Sequence, residues 1–184
     1  MLVEQFTHND RTIEIHTDED AVNPRKDFDH LGKILYNSSR YVLGDEEADT
    51  EEIEEITKSN AIWLPVYAYI HSGVTINTTG FHCPWDSGQC GIIYVTREDA
   101  LREYGRKRMS KKLVEQVENL LRSEIEEFDM YLRGEVYGYE IKDKEDSCWG
   151  SCWGFYGLDY CKEQAKAANA TLSLAVTARM LNTK

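Results

Sequence analysis

Between Ser110 and Gly134 the apolar residues Leu113, Val117, Leu121, Ile125, Phe128 and Leu132 recur at steps of four and three. That is the period of one helical face, so the spacing predicts a helix over about 111–133, capped by Ser110 and stopped by Gly134. A helix with one apolar stripe must lay it on an apolar surface, and the core of the same chain is the first candidate, ahead of a partner helix. Other segments can supply that surface. Residues 11–16, 61–70, 74–79, 91–95, 136–141 and 147–155 alternate or are rich in β-branched and aromatic side chains, and read as strands. Pro65 lacks an N–H, which implies an edge or a bulge in 61–70. The run 61–70, 74–79 and 91–95 suggests an antiparallel meander. Residues 27–43 have mixed spacing that allows short helix or strand. Thr96 and Asp99 form a variant capping box for a short helix to about Tyr104, and 158–183 is helix-rich in composition. The expected fold class is α+β: an antiparallel β-sheet packed against one long amphipathic helix plus shorter helices. A chain of 184 residues fits a single domain over 1–184, with room for an acidic helical subregion at 44–58.

Charge narrows the partners. The chain carries 33 Asp and Glu against 21 Lys and Arg, a net charge of -12. Direct binding to a phosphate backbone is disfavoured, because that needs clustered cations. A basic protein groove that normally holds nucleic acid is the complementary partner; plain solubility is the alternative use of the charge. No run of about 18 apolar residues is present, so no membrane span is expected. The first residues lack the basic and apolar regions of a secretory signal, which makes the cytoplasm the expected compartment. Five cysteines then read as reduced thiols. Cys83, Cys90, Cys148 and Cys152 could be set against zinc, but the six residues between the first two exceed the usual spacing.

Three places carry candidate chemistry. The loop 82–90 joins His82, Cys83, Trp85, Asp86, Ser87 and Gln89. His82 and Cys83 are neighbours on an extended segment and point to opposite sides, which is wrong for a thiol–imidazole pair. His71 or His16 would have to reach Cys83 from elsewhere. The plainer reading is a tight turn that presents Trp85 and Asp86. The second place is the acidic run Asp45, Glu46, Glu47, Glu51, Glu52, Glu54 and Glu55, whose later part reads as a helix through Ile53 and Ile56 capped by Asp49 or Thr50. It is either a solvated face or a surface that imitates a phosphate backbone. The third is the loop holding Asp18 and Asp20, hard oxygen ligands that suit a divalent cation, although the glycine and glutamate of an EF-hand are missing. No nucleotide-binding, zinc-protease or nucleophile-elbow motif occurs. An enzyme has little positive support, and no cofactor is expected beyond that optional divalent cation. Finally, Ser-Cys-Trp-Gly is repeated in tandem at 147–150 and 151–154. In a strand, four extra residues keep the inward and outward alternation while lengthening or bulging it.

Six motifs occur in order: Asn23-Pro-Arg25, Asp29-His-Leu-Gly32, Arg40-Tyr-Val-Leu-Gly-Asp45, Tyr69-Ile-His-Ser-Gly73, Pro84-Trp-Asp-Ser-Gly-Gln89 and Ser151-Cys-Trp-Gly-Phe-Tyr-Gly157. The set, spanning roughly 11–157, resembles a family of small proteins encoded by bacteriophages, prophages and mobile elements of Gram-positive bacteria. This chain departs from the pattern at His30, where a polar Asn is expected, and in the doubled Ser-Cys-Trp-Gly unit. The resemblance implies a host-defence inhibitor, with an anti-CRISPR protein directed at Cas9 as the specific expectation. Its partner would be the host nuclease or its guide-bound complex. Two rivals remain: a divalent-metal-dependent enzyme acting on nucleic acid or nucleotides, and a structural or regulatory phage protein.

Overall fold

The computed structural model describes the backbone of residues 1–182 and the side chains of 1–174. In chain order the elements are β1 (Leu2–His8), β2 (Arg11–Thr17), α1 (Pro24–Asp27), β3 (Lys33–Tyr36), β4 (Glu46–Glu47), α2 (Thr50–Lys58), β5 (Ile62–Ile70), β6 (Val74–Asn77), β7 (Ser87–Val95), α3 (Arg97–Glu103), α4 (Lys111–Leu132), β8 (Val136–Lys142), β9 (Cys148–Tyr156) and α5 (Leu158–Asn182). The class is α+β, and the strands are divided between two sheets. They belong to two compact units: residues 23–133, and residues 1–22 with 134–184. Each has its own core. No helix among the described residues is long and apolar enough to cross a membrane.

In the unit of residues 23–133, the sheet order is β4-β3-β7-β5-β6. β5 alternates Ile62, Leu64, Val66 and Ala68, all buried, with half-buried Trp63, Pro65, Tyr67 and Tyr69. The buried set meets the stripe of α4, where Val117, Leu121, Ile125 and Phe128 are almost wholly enclosed. Ser110 caps α4 by accepting from the Leu113 N–H, and Gly134 ends it in the left-handed region at φ 69°. α2 packs on the opposite face, with Ile53 and Ile56 against Leu35, Ala48 and Ile92. The expected meander is not formed: β7 pairs with the far side of β5, giving β6-β5-β7. The reason lies in β7 itself. Ile92 and Ile93 are both fully buried, so both faces of β7 need cover and the strand must lie inside the sheet; half-buried β6 suits an edge. Pro65 behaves as its chemistry requires. β6 pairs only with Tyr67–Ile70, so Pro65 lies where β5 has a neighbour on one side, next to a bulge at Val66 and Tyr67.

In the other unit, β1-β2-β8-β9 form an antiparallel sheet with α5 across one face. Ile13, Ile15, Tyr139 and Ile141 point to Cys161 and Ala165 of α5. Glu14, His16, Glu140 and Lys142 lie on the opposite face. The tandem repeat forms β9, and each copy contributes one bulge. Lys142 and Ile141 pair with Cys148 and Gly150, leaving Trp149 as the extra residue; Tyr139 and Tyr137 pair with Cys152 and Phe155, leaving one extra residue at Trp153 and Gly154. Two one-residue bulges together restore the alternation, and they blunt an edge strand against unwanted pairing.

Candidate docking surface

The ordering of the acidic run begins at Arg25. Asn23 caps α1 through the Arg25 N–H, and the Arg25 side chain turns inward until only 3% of it is exposed. Its Nε donates to Asp45 Oδ1 at 2.9 Å, its guanidinium to Glu124 Oε2 at 3.1 Å and to the Gly32 carbonyl at 2.6 Å. Glu124, on α4, also accepts from the N–H groups of Leu31 at 3.0 Å and Gly32 at 3.1 Å. Burial opposes the charge on Arg25, but its hydrogen bonds to Asp45 and Glu124 outweigh that and hold its pKa above the ordinary value. Asp45 accepts the Ile34 N–H at 2.7 Å. Three neighbouring motifs of residues 23–45 thus meet Glu124, 99 positions from Arg25, at one ionic centre. His30 joins its rim, with Nε2 3.1 Å from Glu127.

From this centre the chain runs through β4 into α2. Asp49 is the cap, in a complete capping box: its side chain accepts from the Glu52 N–H while Glu52 accepts from the Asp49 N–H, both at 2.9 Å. The acidic side chains therefore differ in role. Asp45 is committed inward, Glu46 pairs with Lys33, Glu52 closes the cap, and Glu54 pairs with Lys58, which lowers its pKa. Glu47, Glu51 and Glu55 are exposed and make no ion pair within the described residues. From Gly44 to Lys58 there are eight acidic residues and one lysine, so the segment presents a strongly negative face.

The 82–90 loop is a turn built on itself. The Ser87 hydroxyl donates to the Cys83 carbonyl. The Asp86 carbonyl accepts from the Ile70 N–H at 2.8 Å, and its carboxylate lies 3.4 Å from His71 Nδ1 and 3.9 Å from Cys83 Sγ. The carboxylate thus touches both the imidazole and the thiol. Thiol activation needs the imidazole against the thiol, with the carboxylate behind it, so this order is wrong for nucleophilic catalysis. Trp85 is 92% exposed, the most open of the tryptophans. Two depressions adjoin here. One, of about 560 Å³, is lined by Thr50, Ile53, Glu54, Trp63 and Gln89; the other, of about 380 Å³, by Ser38, Ile70, Trp85, Asp86 and Gly88. They share Asn37, Gln89 and Cys90, so the depression beside acidic α2 and the one beside the Trp85 turn meet at the edge of β7.

The metal candidates are in the other unit. Asp18 accepts from the Gly154 N–H at 3.0 Å and the Asp20 N–H at 3.1 Å, so it fastens its loop to β9. Asp18 and Asp20 line a cleft of about 560 Å³ with His16 and Trp153. The Trp153 ring covers Gly138, where a Cβ would come within 2.2 Å of it. Among the described residues, the side chains whose ligand atoms converge are others: Glu14, His16 and Glu140. There Lys142 Nζ lies 2.8 Å from Glu14 and 3.4 Å from Glu140. The ammonium thus already pairs with two of the three converging side chains. It holds Glu14 below the usual carboxylate range, and Glu14 in turn raises Lys142. Of the four cysteines that could be set against zinc, Cys90 is held as a thiol, since burial pushes it up to about 11 and it donates to the Val66 carbonyl.

No protein family, curated protein or solved structure matches the chain. The ionic centre on Arg25 and the Glu14–His16–Glu140–Lys142 group went unread in the sequence. The alternation of 11–16 already set Glu14 and His16 on one face, a usable signal. Nothing local joined Arg25 to Glu124, 99 positions away.

Proposed function

We propose that the chain is a non-enzymatic anti-defence protein of a phage or mobile element that binds a host CRISPR effector, with Cas9 as the specific candidate. The observation that carries this reading is the pair of depressions that meet at Asn37, Gln89 and Cys90, one lined by Glu54 of acidic α2 and the other by the 92%-exposed Trp85. A basic channel that normally holds a guide–target duplex is complementary to such a face. An exposed indole beside it is the side chain most often found as a binding hot spot. The Cys83–Asp86–His71 order and the ammonium within the Glu14 group both favour binding over catalysis. The resemblance of the six motifs supports the phage source. Purified protein titrated into a Cas9–guide complex tests the reading: binding and loss of target cleavage are expected, and an unaffected nuclease that forms no complex rejects it.

A further inference from the structure

The five-stranded sheet has a notch. β3 pairs with β7 only over Gly91–Tyr94, and the last bond on that side runs from the Asn37 N–H to the Cys90 carbonyl at 2.7 Å. The chain then turns away, with the Ser38 hydroxyl accepting from the Tyr41 N–H. β7 continues the other way as Ser87, Gly88 and Gln89. These residues pair with Tyr69, Ala68 and Tyr67 of β5 on one side, and with no strand on the other among the described residues. The two adjoining depressions open here. A Cβ at Gly88 would meet nothing within 4 Å. Trp85 stands two residues before this edge.

We propose that the notch receives an extended, arginine-rich segment of a partner protein as an added strand, prolonging the line of β3 antiparallel to Ser87–Gln89. This rests on the protein-binding reading above and names what that site holds. An unpaired backbone edge is the template for strand addition, and side-chain pockets beside it give selectivity. Charge selects the occupant. Glu54 lines the larger depression, Glu51 and Glu55 extend from the same helix, and Lys58 is the single cation on α2. Trp63 lines one depression and Trp85 the other, and a guanidinium stacks on an indole better than an ammonium does. The edge spans three residues, so backbone bonds fix register while charge and aromatic contacts supply most of the affinity.

Nuclear magnetic resonance titration of the full chain with a synthetic decapeptide of alternating arginine and valine tests this. Saturable shifts centred on the Ser87–Gln89 amides, with slowed hydrogen exchange there, are expected. A glutamate–valine peptide should leave them unmoved, and E51K/E54K/E55K should weaken binding about tenfold or more. Shifts confined to α2, or none, overturn strand addition. The same exchange measurement in a Cas9–guide complex separates the two proposals. A complex that forms while Ser87–Gln89 stay unprotected defeats the notch and leaves the functional reading intact. A peptide that binds the notch while Cas9 does not bind defeats the functional reading alone.

Discussion

Replacing Glu124 by alanine should be among the most damaging single changes in residues 23–133. The carboxylate is 7% exposed and answers the Arg25 guanidinium, itself 3% exposed, at 3.1 Å. It also accepts the N–H groups of Leu31 and Gly32. Its removal leaves a buried cation short of one partner and two backbone donors short of an acceptor. Breaking a buried pair from one side costs about 3–5 kcal/mol. With a urea slope of about 1–3 kcal/mol/M, the unfolding midpoint should fall by about 1–5 M. Glu124→Gln keeps an oxygen for the Gly32 N–H and should cost less, about 1–3 kcal/mol. The assay is urea unfolding followed by circular dichroism, with Arg25→Ala and the double variant closing a cycle. The coupling should exceed about 1 kcal/mol, because the two side chains share one centre. A Glu124→Ala variant that loses less than about 1 kcal/mol, with no coupling to Arg25, would refute the view that this centre holds the acidic segment in place.

Three further outcomes are expected. The pKa of Glu14 is lowered from 4.5, with the Lys142 hydrogen bond as the first cause; its stabilisation is therefore present above 4.5 and lost as pH falls through the depressed value. Lys142 is raised from 10.5, so its share is full below 10.5 and is lost only at still higher pH. Thermal melts of Lys142→Met should show a weaker fall in stability below pH 4.5 than the parent; identical acid profiles would count against the pairing. Thiol titration at pH 8 should find the exposed Cys148 and Cys152 reactive and Cys90 and Cys161 protected, since burial pushes the latter two up to about 11 and about 12. Rapid labelling of all five cysteines in the folded protein contradicts this. Gly138→Ala should drive the Trp153 ring off the sheet, because the new Cβ would stand 2.2 Å from it; a red shift in tryptophan emission reports it, and an unchanged spectrum denies it.

Local pattern made much of this fold legible. The α4 stripe, the Ser110 cap, the Gly134 stop and the β-branched and aromatic strand of β5 are written within a few residues, and the structure places each as read. The Asp49 cap was one of two read there, and it is the one used. Strand order was harder, because it is decided by which strand needs cover on both faces. The adjacent Ile92 and Ile93 hold that answer once their shared burial is considered. The doubled Ser-Cys-Trp-Gly unit kept its alternation by a route that counting by twos does not show, one bulge per copy. The acidic run looked uniform in sequence. In the fold it divides into Asp45, drawn to Arg25, and exposed residues such as Glu51 and Glu55, because a guanidinium 20 positions upstream captures the first of them.

Charge reversal on α2 tests the central claim most directly. E51K/E54K/E55K alters side chains on the exposed face and leaves the Asp49–Glu52 capping box and the Arg25 centre untouched. Binding to a Cas9–guide complex should weaken by about tenfold or more, and the loss should shrink as salt is raised. Unchanged affinity at low salt, in a variant whose circular dichroism matches the parent, would contradict docking through the acidic face.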